Sequence, residues 1–454
     1  MPVAGPSKVV FVGPKIDEES RKRRAYRYMY ETAADRSRVL DNRIDEFGEW
    51  VKEHYNIEEL GDPSANTEEE VVVVGRVTHD SETSSGSVKL NEASVTLESS
   101  RQMGSGGRVP LRFDPSVKVR QGVKGVGGIG LFPGAIVALR GKNGGGGWFL
   151  VTEVLSLPPM ESSPNNGMKM EDSEPFSMHV ACGPFTPDAD LKFKPWHRLV
   201  SIIKADRPAV VLLARPFIDV THPAVKSGEV DTDLADMFRE TFISNMQDFL
   251  SSSPDSIVLI VPSVRDVISD HAVFPQCELG PEYAADPRIH LLPNPCRFSL
   301  NGISFAVSSV DVIFHLRKEE FFKRAGEVDS ISSLVAGGAG VQANDAMTTT
   351  CRHLLQQRNF YPIFPAPLDL AHEVNLDITH LKDIELGGGE NDDVGYAPDV
   401  LVVSSRLKHF SKVVDSTVAI NPSFLTKGIF AVLTCWSSLG PVHNRVKAEV
   451  QKLD

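Results

Sequence analysis

The sequence predicts an α+β chain of more than one domain, in which a small closed β-barrel precedes a larger two-sheet α/β domain. Three observations carry that expectation. Between residues 71 and 154, apolar residues recur with a period of two and are separated by glycine-rich turns. From Phe176 onward, short apolar runs alternate with helical segments. The length, 454 residues, exceeds what a single hydrophobic core usually serves. The composition is globular, with 41% hydrophobic and 24% charged residues. The net charge of −13 argues against a protein whose main work is to coat DNA, because such binding runs on neutralised phosphates. No apolar run reaches the length of a membrane span, and Val9–Val12 is too short for a secretory signal. The five cysteines lie far apart without a CxxC pair, which disfavours a disulfide framework or a zinc site and fits a reducing compartment.

Taken in order, residues 1–16 read as a flexible tail and 17–56 as an N-terminal helical segment, with Tyr26, Met29, Tyr30, Leu40, Ile44, Phe47 and Trp50 at three- and four-residue steps. The basic cluster Arg21–Arg24 could serve nuclear import or phosphate binding; beside Asp17–Glu19 it reads as a solvated helix face. Residues 57–157 form the barrel domain. Its strands are expected at 71–80, 89–99, 109–113, 135–141 and 148–154, with bends at Gly75 and Gly134-Ala135. Five such strands suggest the OB-fold. Phe113, Trp148 and Phe149 are too few for a stacking platform and are expected to fill the barrel, with Arg76, Arg108, Arg112 and Arg140 solvated. Residues 158–175 read as a linker or disordered insertion.

Residues 176–440 are expected to form the α/β domain, and 441–454 a C-terminal tail. The run AVVLLA, from Ala209, suits a strand buried on both faces that ends at Arg215-Pro216, where open α/β sheets usually place ligands. In the helix that follows, Leu234, Phe238, Phe242, Met246 and Phe249 form one stripe, capped by Asp231, with Asp233 and Asp236 near its positive end. SIVLIVP is the next buried strand. IHLLPNP and GISFAVSSVDV read as more antiparallel strands, with a turn at Asn301-Gly302. Residues 317–358 read as helix around a glycine-rich break at 336–340, 384–397 as an acidic surface loop, and PDVLVVSS and IFAVLTCW as the last strands.

Strand–loop–helix repeats whose loops hold Asp and His resemble calcineurin-like metallophosphoesterases, whose two metals are bound by the motifs D-x-H, GDxxD, GNH(D/E), a lone His and GHxH. Carboxylate and imidazole ligands there hold two cations close enough to generate a hydroxide and clamp a phosphoryl group. The first position reads Cys182-Gly183-Pro184, without Asp or His. In the second, Pro216 stands for the bridging carboxylate, and Asp219 matches only the last Asp. In the third, Pro262-Ser263-Val264-Arg265-Asp266, Arg265 stands for the His; near the fourth, Asn359 replaces the lone His; the fifth is Ser404-Ser405-Arg406-Leu407, with His409 two residues too late. His222 and His409 read as loop histidines, and Asp219 and Asp266 as loop caps or arginine partners. No residue is therefore expected to be catalytic, metal-binding or cofactor-binding.

The chain also resembles the B-subunit family of DNA polymerases alpha and epsilon, in its alpha form, over about residues 17–440. The resemblance rests on RAYRYMYE (Arg24–Glu31), VVVVGRV with KLNEASVTLE, LFPGAIVALRG (Leu131–Gly141), ACGPFT (Ala181–Thr186), RPFIDVTHP (Arg215–Pro223), VPSVRD with FPQ, RNFYPIFP (Arg358–Pro365) and NPSFLTKGIFAVL (Asn421–Leu433). It implies an OB domain followed by a calcineurin-like phosphoesterase-type domain that is catalytically inactive. It also implies a nuclear, non-catalytic scaffold subunit of the polymerase alpha–primase complex, without a cofactor. Its partners would be the zinc-bearing C-terminal domain of the catalytic subunit and, through it, the primase subunits, with DNA met only indirectly or weakly. The shared product would be the RNA–DNA primer that starts replication. Members of this family usually carry a helical domain and a long linker before the RAYRYMYE region; this chain begins almost at that region, so that part's contacts are not carried over. Two other functions stand as alternatives: a metal-dependent phosphodiesterase or nuclease, which needs ligands the motifs lack, and an OB-fold single-strand-binding protein, which the charge and sparse aromatics disfavour.

Overall fold

The structure is a computed structural model that describes residues 9–15, 17–26, 28, 30–79, 89–121, 128–162, 175–284, 286–329, 345–387, 395–436 and 440–453. The glycine-rich break at 336–340 and most of the expected linker lie outside these residues. Among the described residues no helix is long and apolar enough to cross a membrane. The chain divides into two units: residues 29–160 with 315–370, and residues 1–28 with 161–314 and 371–454.

The first unit is built on a five-stranded barrel. Its strands run in the order Arg108–Gln121, Val95–Glu98, Val71–His79, Ile136–Lys142 and Phe149–Leu155, and the last pairs back onto the first to close it. Closure leaves no unpaired edge and buries alternate residues such as Val73, Leu97, Leu111, Leu139 and Phe149. Gly134 sits at φ +97°, and a Cβ there would lie 2.4 Å from the Phe364 backbone nitrogen, so the sharp entry into the fourth expected strand requires glycine. The helix Ala33–Tyr55 starts at a capping box: Asp35 N–H donates to Thr32 Oγ1 (3.3 Å) and Thr32 N–H to Asp35 Oδ2 (3.0 Å). It lays Ile44, Phe47 and Val51 on Val72, Val74, Ile136 and Leu155.

Several expectations change here. The helical segment 17–56 is two helices, Glu18–Arg24 and Ala33–Tyr55. Tyr30 falls outside both and is exposed. Residues 315–370, expected in the α/β domain, join the barrel unit. Phe321–Arg324 pairs with Gly128–Leu131, Gly326–Asp329 pairs with Arg108–Gln121, and the Gln357 amide exchanges hydrogen bonds with the Ile136 backbone (2.8 and 2.9 Å). Unsatisfied strand edges make such pairing favourable, and the sequence read as helix conceals it. Phe113 and Phe149 do fill the barrel, whereas Trp148 lies under the Arg112 guanidinium, 3.8 Å from its ring centre. Arg76 is not solvated: it is buried and pairs with Glu98 at 2.7 Å.

The second unit is a sandwich of two six-stranded sheets flanked by helices. One sheet runs Ile289–Leu291, Ile257–Val261, Val210–Ala214, Phe176–Cys182, Ile429–Cys435, Val446–Lys452; the first four strands are parallel, as continuous apolar runs buried on both faces require. The other runs Phe11–Val12, Cys296–Leu300, Ile303–Ser308, Val400–Val403, Thr417–Asn421, Phe410–Val414. Their facing sides form one core containing Val180, Leu212, Leu259, Phe305, Val402 and Ile420. The outer face of the first sheet packs against the helices through Trp196, Phe238, Phe242, Met246 and Phe249.

Repeated four-residue spacing would drift about 40° per step around a regular helix. A π-helical turn at Arg239–Ile243 absorbs the drift and keeps the stripe on one face. The Thr241 carbonyl in that turn accepts from Trp196 Nε1 (2.8 Å) and Asn245 Nδ2 (2.8 Å). The cap is Asp233 rather than Asp231, accepting from Ala235 N (2.8 Å) and Asp236 N (3.2 Å). Ile289–Leu291 is parallel to its neighbour, not antiparallel. The hairpin at Asn301-Gly302 forms with both residues at positive φ. Neither expected tail is wholly free: Phe11–Val12 and Val446–Lys452 are edge strands. Nor is Arg24 a solvated residue. It is buried and grips Glu278 with two bonds of 2.9 Å.

Candidate functional site

Parallel strands bring their carboxyl ends to one edge, so the loops after Cys182, Ala214 and Val261 converge. Gly183 is required there, since a Cβ would lie 2.3 Å from the Pro216 carbonyl oxygen. Arg215 occupies the glycine position of GDxxD and retains a left-handed φ of +78°, a conformation that costs a non-glycine residue about 1–3 kcal/mol and persists where surroundings hold it.

Those surroundings are polar and buried. Arg215 Nε donates to the Ser309 carbonyl (2.7 Å), and its Nη2 stands 3.7 Å from Asp311 Oδ2. The backbone N–H and Nε of Arg406 donate to the same oxygen at 2.9 and 3.1 Å, and its Nη2 reaches Glu373. Phe424 covers Arg215, with its ring centre 4.8 Å from the guanidinium carbon, and Phe314 covers Arg406 at 4.4 Å. One fully buried carboxylate thus serves two guanidiniums. Burial pulls Arg215 below its ordinary pKa, against the pull of Asp311. Beside it, burial pushes the Cys182 thiol up to about 11, while the Ser404 hydroxyl and Arg215 act the other way.

The remaining carboxylates are also engaged. Asp219 takes a two-pronged contact from Arg265 and closes its own turn through Thr221 N (2.8 Å). Asp266 accepts from the backbone nitrogens of Phe217 (2.5 Å), Ser263 (2.8 Å) and Ile218 (3.2 Å), tying two loops together. Burial raises its pKa and these three donors lower it. Asn294 accepts from Ser309 N (3.1 Å) and donates to Gln276 Oε1 (3.3 Å). Gln276 in turn donates to the carbonyls of Ser263 (3.1 Å) and His271 (2.9 Å).

The structure brings Pro216, Asp219, Arg265, Asp266 and Arg406 to this edge. His222 is buried elsewhere in the loop, accepting from Ala224 N through Nδ1 (3.2 Å), and His409 is exposed. Asn359 belongs to the barrel unit, where its Oδ1 accepts from Tyr361 N (2.7 Å). The residue delivered after Ile303–Ser308 is Asp311. Reading GISFAVSSVDV as one strand conceals it; the strand ends at Ser308, and the polar pair Ser308-Ser309 is the signal that marks the turn. This donor set does not fit two divalent cations. Among the described residues no imidazole joins it, and unit charges of like sign about 4 Å apart repel by about 4 kcal/mol at an effective dielectric near 20.

The described architecture is an OB-fold barrel with a two-sheet α/β unit. Residues 178–412 match the family described as the DNA polymerase alpha/epsilon B-subunit, and residues 37–157 match the OB domain of the DNA polymerase alpha B-subunit. The chain is 34% identical over 447 residues to the DNA polymerase alpha B-subunit of Schizosaccharomyces pombe, covering 95% of this chain and 71% of that one. It is 30% identical over 399 residues to the protein of the same name from Bos taurus, covering 86% of this chain and 57% of that one. To the one from Rattus norvegicus it is 30% identical over 412 residues, covering 89% and 60%. The chain therefore spans less than two thirds of these mammalian relatives. Barrel, two-sheet unit and extended identity agree: the chain belongs to the DNA polymerase alpha B-subunit family.

Proposed function

We propose that this protein is a non-catalytic accessory subunit of the DNA polymerase alpha–primase complex. It binds the C-terminal domain of the catalytic subunit and supports RNA–DNA primer synthesis in the nucleus at the start of replication. The observation that carries the non-catalytic part is the ion cluster at the strand ends: Arg215 and Arg406 converge on Asp311, and Arg265 on Asp219, where a phosphoesterase would hold its cations. Side chains fixed to one another in this way stabilise a scaffold and leave no base or metal-bound water to attack a phosphodiester. Family membership supports the assembly part. A stable contact of that kind buries on the order of 1,200–2,000 Å² or more.

The test is co-expression with the catalytic subunit's C-terminal domain, followed by gel filtration. One peak containing both chains at micromolar concentration is expected; separate elution overturns the assembly role. Calorimetry of the free chain with manganese tests the other half. No binding heat is expected, and a saturable event of micromolar affinity would restore the hydrolase reading.

A further inference from the structure

The chain carries a net charge of −13, yet its positive charge is not spread evenly. From Lys192 to Arg207, the stretch that enters, forms and leaves the helix Lys194–Asp206, there are five Lys or Arg against one Asp. The helix turns Trp196, Leu199, Val200 and Ile203 inward, onto the apolar layer of the α/β unit. That packing sends the opposite face to solvent. Lys194, Arg198 and Ser201 follow one another there at steps of four and three residues and are exposed, as are Lys192, His197 and Arg207. Among the described residues no carboxylate stands within ion-pair distance of Lys192, Lys194, Arg198 or Arg207. Three nearby acidic groups are engaged: Asp190 Oδ1 accepts from the Lys192 backbone N–H (2.9 Å), Asp206 stands 3.6 Å from His179 Nε2, and Asp248 stands 3.6 Å from Lys204 Nζ. Asp188 is exposed ahead of the helix.

The chemistry of this face selects its partner. None of the large apolar side chains exposed among the described residues lies on this helix, so it offers a peptide no apolar anchor and a base no ring to stack on. It offers cations along a rod. A helix of 13 residues is about 20 Å long, which spans about six nucleotide steps of one strand. Lysine and arginine at that spacing suit about two or three successive phosphates, and such contacts position a nucleic acid without reading its sequence. We propose that the exposed face of this helix is a docking surface for the phosphate backbone of nucleic acid. The binding is weak and removed by salt, because the acidic remainder of the chain opposes the approach of a polyanion. This surface lies beyond the assembly role proposed above and does not depend on it.

The experiment uses the full chain and a fluorescein-labelled mixed-sequence duplex of about 20 base pairs, with anisotropy followed from about 20 to 200 mM sodium chloride. Binding with a Kd on the order of 10⁻⁴–10⁻⁶ M is expected, weakening steeply with salt. Lys192→Gln, Lys194→Gln and Arg198→Gln combined should lower the slope of log K against log salt by about 2–3 and weaken low-salt binding about tenfold or more. Ser201→Glu, which sets a negative charge in the middle of the face, should weaken it as well, and it carries the test should the triple variant not fold. An equal-charge control on the helix Ala33–Tyr55, with Arg36→Gln, Arg38→Gln and Lys52→Gln, should leave the slope within about 1 of the unaltered chain. The triple variant should still co-elute with the catalytic subunit's C-terminal domain, which separates this surface from the assembly role. An unchanged slope in the folded variants, or an equal loss in the control, overturns the docking surface. Tighter binding of poly-glutamate than of the duplex, or loss of co-elution in the triple variant, overturns it too, by assigning the face to an acidic protein.

Discussion

Of the carboxylates here that are each shared by two guanidiniums, two lie in contrasting settings. On the barrel, Glu98 pairs with Arg76 (2.7 Å) and Arg108 (2.6 Å); at the strand ends of the α/β unit, Asp311 pairs with Arg215 (3.7 Å) and Arg406 (3.1 Å). The settings differ. The Arg108 side chain is 49% exposed, whereas that of Asp311 is completely buried. Water and salt screen the bond from Arg108, whereas Arg76 and the whole Asp311 trio are compensated only by their partners. The barrel trio has one member at the surface and two within the wall, while the carboxylate of the Asp311 trio is wholly enclosed.

The largest expected effect lies at the buried trio. Asp311→Ala leaves Arg215 buried without its carboxylate and should cost about 3–5 kcal/mol in urea unfolding; a loss under about 1 kcal/mol would show that solvent reaches the cluster. Phe242→Ala tests the neighbouring apolar layer. It removes a fully buried ring that contacts Phe185, Phe217 and Trp196, and should cost a similar 3–5 kcal/mol, without disturbing the ion cluster. On the barrel, Glu98→Gln should cost about 1–2 kcal/mol, because Arg76 is buried and loses its charged acceptor. Arg108→Ala should cost under about 1 kcal/mol, and the cost should shrink further in high salt.

Glu98 also carries a pH signature. Burial opposes its ionisation, but Arg76 and Arg108 outweigh that and hold its carboxyl below the ordinary value of 4.5. A depressed folded pKa means the contribution is present above pH 4.5 and is lost as pH falls through the lower folded value. Acid unfolding should therefore be shallower below pH 4.5 in Glu98→Gln than in the unaltered chain. Equal slopes would remove Glu98 from the acid response.

Much of this is readable in the chain. Period-two patterning locates the barrel strands, continuous apolar runs locate the parallel ones, and Asn301-Gly302 locates the hairpin. The substitutions at Pro216, Arg265 and Arg406 are visible residue by residue. Asp311 is not, because an Asp shortly after an apolar run looks like any turn residue until the strand's end is known. Arg24 escapes for a related reason: its partner, Glu278, lies 254 positions away.

Sequence therefore suffices for the local periodicities, for the order of barrel and α/β segments, and for the residue types at Pro216, Arg265 and Arg406. These depend on spacing within a few residues, where backbone geometry sets the period. Tertiary contacts were needed to show that residues 315–370 complete the barrel unit, that 446–452 close a sheet edge, and that Arg215 and Arg406 meet on one carboxylate. Those outcomes depend on which distant backbone edges and charges burial brings together. Burial then makes each such meeting obligatory, because a polar group removed from water must find its partner inside the protein.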